Sequence, residues 1–87
     1  MPAFQEIFID KKLLDVELNE LLNKGYLKLK IELSLPHLTE FQSQYRIGDE
    51  MTFHASDNID VKTRITTIDI AEPHGAYYKL FIGFTLV

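Results

Sequence analysis

The chain contains no cysteine, so it can form no disulfide and offers no thiolate as nucleophile or metal ligand. It does not open with a basic segment followed by a long apolar run, which argues against a secretory signal peptide. No apolar run approaches the length of a membrane span. Bases are outnumbered by acids, 9 to 13, and the lysines and arginines are scattered along the chain. Nucleic-acid binders concentrate cations, because each phosphate contact releases counterions. A net charge of −4 without such a stripe argues against non-specific DNA or RNA binding and reads as ordinary solubility chemistry. These absences predict a soluble protein, outside the membrane.

Chemistry-bearing patterns are equally sparse. His37, His54 and His74 stand far apart, none at metal-ligand spacing from another. His37 follows a proline in a predicted loop and His74 sits in a predicted turn. Asp57, Asp60 and Asp69 lack the dense oxygen spacing and glycine of a calcium loop, and are expected in a turn and on wet strand positions. Ser34, Ser43 and Ser56 have no glycine elbow or partner base. Gly48-Asp49 lacks the glycine spacing and lysine of a phosphate loop and reads as a turn. The sequence therefore predicts no catalytic residue, no metal and no cofactor.

What is present is hydrophobic periodicity. With 87 residues, one domain, spanning 1–87, is expected. A domain of this size buries only about 60–65% of its unfolded surface, so oligomerisation is an accessible source of extra stability. Gln5 to Ile9 reads as a first strand. Asp10 is then the expected cap of an amphipathic helix of about three turns carrying Leu14, Leu18, Leu21 and Leu22, with Lys24 near its end and Gly25 past it. Tyr26 to Leu35 alternates strictly: Leu27, Leu29, Ile31, Leu33 and Leu35 against Lys28, Lys30, Glu32 and Ser34, one buried face and one wet face. Pro36 to Gln44 shows no clear period and reads as a loop anchored by Leu38 and Phe41.

Met51 to His54 is a predicted short strand, followed by a turn at Ser56-Asp57-Asn58. Ile59, Val61, Thr63 and Ile65 then alternate with charged residues, but the apolar phase moves to Ile68 and Ile70. That shift predicts a β-bulge near Thr66-Thr67. After a turn at Glu72 to Gly75, Ala76 to Val87 forms a last strand with Tyr78, Leu80, Ile82, Phe84 and Leu86 on one row. Gly83 lies on the other row, where a close approach or bend is expected. The sum is an α+β fold: a small antiparallel β-barrel or coiled sheet of about five strands, with one N-terminal helix packed on it.

Tyr77 and Phe81 fall on the row opposite that core row, beside Lys79. If that row is uncovered, exposed aromatics mark a contact patch. Tyr77, Lys79, Phe81 and Phe41 are therefore the candidate interaction residues, with a second copy or another protein as partner.

The stretches LDVELNELLNKG, YLKLKIELSLP, YRIGDEMTF, IDVKTRITTIDI and YYKLFIGF, from Leu14 to Phe84, resemble a domain of bacteriophage tail hub and tail-tip proteins of the tail-associated endopeptidase type. That resemblance implies a structural role in a phage or prophage tail. A second similarity is to small ASCH/PUA-like barrels, some of which bind RNA or modified bases. Asn23-Lys24-Gly25 and Ile31-Glu32-Leu33 fill the corresponding places without the Gly-Lys order or the arginine of that family, so its RNA-recognising residues are not carried over. The expected function is non-enzymatic protein–protein assembly. The alternative is a small acidic binding or inhibitor protein, or a nucleotide- or RNA-binding barrel.

Overall fold

The computed structural model describes residues 12–55, 58–73 and 75–87. The strand expected at Gln5 to Ile9, the cap at Asp10, and Ser56, Asp57 and His74 lie outside the described residues. Helix α1 (Asp15–Lys24) leads into β1 (Tyr26–Ser34). Helix α2 (Leu35–Gln44) follows, and then β2 (Glu50–Ala55), β3 (Ile59–Ile70) and β4 (Tyr77–Leu86). The described strands number four rather than about five. They form one antiparallel sheet, in the order β1-β4-β3-β2, which curls into a half-barrel.

Period-two patterning does what it predicts. Leu27, Leu29, Ile31 and Leu33 of β1 are all buried, with Lys28, Lys30 and Glu32 exposed between them. Met51, Phe53 and Ala55, then Val61, Thr63 and Ile65, then Leu80, Ile82 and Phe84 continue the same buried face. Leu35, expected as the last inward residue of that strand, is instead exposed at the start of α2. Leu13 from the segment before α1, Leu21 from α1, and Leu38 and Phe41 from α2 complete a single apolar cluster. Both helices therefore cover the same face. Thr63 is the one buried polar side chain among the described residues; its Oγ1 donates to the Met51 carbonyl at 2.9 Å, which satisfies it.

The helices depart from expectation in two ways. Helix α1 starts at Asp15, after an extended Leu14, and Glu17 Oε1 accepts the Leu14 N–H at 3.0 Å. That reach-back stabilises the start without any cap side chain at Leu14. Of the expected stripe only Leu21 is buried and Leu18 partly so, while Leu14 and Leu22 are exposed. Gly25 ends the helix in the left-handed conformation at φ 81°, its N–H bonded to Leu21 O. The second difference is larger: Pro36 to Gln44 is helical. Pro36 does stop β1, but it sits in the first turn of α2, where a missing N–H costs nothing and φ is already set. Leu38 and Phe41 are three apart and share the buried face.

The bulge occurs where the apolar phase slips. Ile65 faces Phe84 and Thr67 faces Gly83, leaving Thr66 as the extra residue. Before it the odd-numbered residues point into the core; after it Ile68 and Ile70 pair with Ile82 and Leu80 on that face. Gly83 is required there. A Cβ on it would stand 2.5 Å from Thr67 Oγ1 and 3.1 Å from Thr66 Oγ1. Gly83→Ala is expected to cost about 1–3 kcal/mol by overpacking. In a Thr67→Ala background most of that cost should vanish, because the obstructing hydroxyl is gone. Urea unfolding of both singles and the double measures the coupling; an unchanged cost in the double variant would place the strain elsewhere.

Candidate interaction surface

The outer face of the sheet carries the even-numbered residues of β1 and the odd-numbered residues of β4. Along β4 these are Tyr77, Lys79, Phe81 and then Gly83. Because β4 lies between β1 and β3, this row runs down the middle of the sheet. The last strand, which carries no charge after Lys79, therefore has both of its edges paired. Its neighbours fix the surroundings of each side chain. Tyr77 sits opposite Ser34, Lys79 opposite Glu32, and Phe81 lies between Lys30 on β1 and Asp69 on β3. Tyr77 is 55% exposed, whereas Lys79 and Phe81 are half-buried. Among the described residues, nothing covers the outer face.

Phe41 does not belong to this surface. It points from α2 into the core with 1% of its surface exposed, and its ring stacks on Tyr45 at a centroid distance of 5.1 Å. It is therefore not a surface contact residue, contrary to the expectation from the sequence. In a helix three residues beyond Leu38, the same ring is a packing residue.

Charge on the outer face is mixed. Lys28, Lys30, Lys62, Arg64 and Lys79 lie there with Glu32, Glu50, Asp60 and Asp69, so the described residues of this face carry no net acidity. Arg64 donates to Glu50 Oε2 at 2.7 Å, and His54 Nδ1 bonds Asp60 Oδ1 at 2.7 Å. Both pairs are exposed cross-strand contacts, a class that contributes little to stability. His37, expected in a solvated loop, is half-buried in α2 and shares a hydrogen bond of 3.3 Å with Ser34 Oγ. No group of three metal-ligating side chains converges among the described residues. No helix among them is long and apolar enough to cross a membrane.

Among the described residues, open hollows lie at two places beside the sheet. One, of about 470 Å³, lies between α1 and the neighbouring ends of β3 and β4, where Leu18, Leu22, Ile59, Leu86 and Val87 line it. The other, of about 450 Å³, lies beside the start of β2 and includes Tyr45, Asp49 and Glu50. Asp49 Oδ2 accepts the Arg46 N–H at 2.9 Å, tying the turn that Gly48 makes at φ 101°. Comparison with family models, with curated proteins and with solved structures gives no match.

Burial pushes the Tyr45 hydroxyl above its ordinary value of 10.0. The sign follows from linkage: the folded chain holds this proton more tightly than the unfolded chain does. The associated stability is complete below the unfolded value and is lost as pH rises through the folded one. Denaturant midpoints measured from about pH 9 to 11 should fall with rising pH, and Tyr45→Phe should flatten part of that fall. An identical slope in Tyr45→Phe would assign the alkaline loss to other groups.

Proposed function

We propose that this chain is a non-catalytic protein-binding and assembly module that works through the outer face of its half-barrel. One observation supports the reading most. Both helices pack on the same side of the sheet, which leaves the Tyr77–Lys79–Phe81 row without a covering layer among the described residues. Aromatic rings held on a rigid strand and bordered by charge offer buried apolar area at low entropic cost, with a polar rim to set register. The setting we propose is a phage or prophage tail, on the strength of the resemblance over Leu14 to Phe84. A small acidic binding or inhibitor protein would use the same face.

The experiment is a parallel affinity purification with wild type, Phe81→Lys, Tyr77→Ala and, as a control on the exposed side of α2, Gln42→Ala. A partner of this face is retained by wild type and Gln42→Ala and lost from the other two, and it rebinds when both components are purified. Retention that ignores Phe81→Lys counts against the outer face as the binding surface.

The mixed charge of this face also predicts weak nucleic-acid binding, despite five of the nine Lys and Arg residues lying on it. Gel shifts with short RNA and DNA at low salt should show no complex at about micromolar protein. Tight binding with a steep salt slope would favour the nucleotide- or RNA-binding barrel instead.

A further inference from the structure

We propose that the outer edge of β1 pairs with the same edge of a second copy, antiparallel and centred on Lys30, to make one continuous eight-stranded sheet. This names a partner for the assembly module proposed above and rests on that reading, but it uses the edge of the sheet and not its outer face.

The two edges of the sheet are unequal. β2 spans six residues, and its outer side is occupied at one end: Leu13 donates its N–H to the His54 carbonyl at 2.7 Å, and Lys12 bridges to His54. β1 spans nine residues, pairs with β4 without a register shift, and contains neither proline nor bulge. Long regular edges of this kind are the ones that pair with other chains unless something blunts them. Among the described residues, no element pairs with it.

The direction of its free groups can be fixed. Leu86 donates to the Gly25 carbonyl at 3.4 Å, immediately before the Tyr26–Thr85 pair. Odd-numbered residues of β1 therefore turn their backbone groups towards β4, and Tyr26, Lys28, Lys30, Glu32 and Ser34 turn theirs outwards. An antiparallel copy centred on Lys30 places Tyr26 opposite the partner's Ser34 and Lys28 opposite the partner's Glu32. All five outward residues then lie in hydrogen-bonded pairs.

Charge and packing favour this register. Each Glu32 comes to lie between Lys79 of its own chain and the partner's Lys28, and opposite charges facing each other across strands are stabilising. The one like-charge pair is Lys30 with the partner's Lys30, and each of these stems has Phe81 of its own sheet to lie along. Inside, Leu29 meets the partner's Ile31. These two are the most exposed inward residues of β1, at 8% and 9% against 3% for Leu27 and Leu33, so the residual exposure sits where the copy would cover it.

The absence of cysteine makes the test clean. Sedimentation of the wild type across a concentration series should show a reversible monomer–dimer equilibrium. Lys30→Pro removes an outward N–H that β4 does not use, so it should leave the monomer folded and weaken the dimer by at least about tenfold. Lys30→Cys should form an interchain disulfide under mild oxidation, because a facing hydrogen-bonded pair lies about 5.5 Å apart. Lys28→Cys and Glu32→Cys should each cross-link poorly alone and well when mixed. A wild type that stays monomeric to about millimolar overturns the proposal, as does a dimer indifferent to Lys30→Pro. If Lys30→Pro does not fold, the cysteine pairs decide: cross-linking without the mixing rule overturns the register and the interface with it. None of these outcomes bears on retention of a different protein by the Phe81 face, so the two readings fail separately.

Discussion

The structure depends on one long-range pairing, that of β1 with β4. Nine consecutive residues, Tyr26 to Ser34, lie against Tyr77 to Thr85 with no shift in register. The loop closed by this ladder contains α2, β2 and β3, so its entropic cost has to be offset by non-local contacts. Local ties support its ends. Thr85 Oγ1 donates to the Gly25 carbonyl at 2.9 Å, joining the end of α1 to the far end of the chain. Ala71 donates to the Lys79 carbonyl and holds the return from β3. A register slip of one residue would turn the inward apolar residues of β1 to water at once, so the pairing is strongly specified.

Once that ladder is fixed, the bulge at Thr66 becomes necessary. β3 must keep Val61, Thr63 and Ile65, and then Ile68, on the inner face although its sequence changes phase after Ile65. The extra residue restores the phase, and it bends the strand as it does so, in keeping with a sheet that curls into a half-barrel and does not lie flat. The hydroxyls of Thr66 and Thr67 then lean over β4, and Gly83 is the residue that leaves room for them. The same glycine interrupts the Tyr77–Lys79–Phe81 row. The aromatic part of the outer face therefore ends where the bulge begins.

Much of this was legible in the residues. The alternation of β1, the phase shift near Thr66, the role of Gly83 and the opposite rows of β4 all follow from a period of two, which needs no knowledge of tertiary contacts. The helix at Leu35 to Gln44 was not legible, because Pro36 both stops a strand and starts a helix, and a single turn of spacing between Leu38 and Phe41 is too short to show a period. Without that helix, nothing in the sequence marks Phe41 as the core residue it is. In α1 the leucines are so dense that two stripes exist at helical spacing. Only contact with the sheet selects Leu21, along with Leu13 outside the helix, over Leu14 and Leu22.

Strand order is the other thing that composition does not encode, and it decides how the candidate surface must be read. A terminal strand with no charge after Lys79 is a liability only if it lies at an edge. Placed between β1 and β3, its apolar run is protected, and exposure shifts to the even-numbered residues of β1. That edge carries Lys28 and Lys30, charges that discourage indiscriminate pairing, but Glu32 spoils a uniform defence. A row of lysines would repel every approaching strand. A row that contains both signs repels most registers and admits those that bring Lys to Glu, so in the pairing proposed above the charges that discourage aggregation would also set the register.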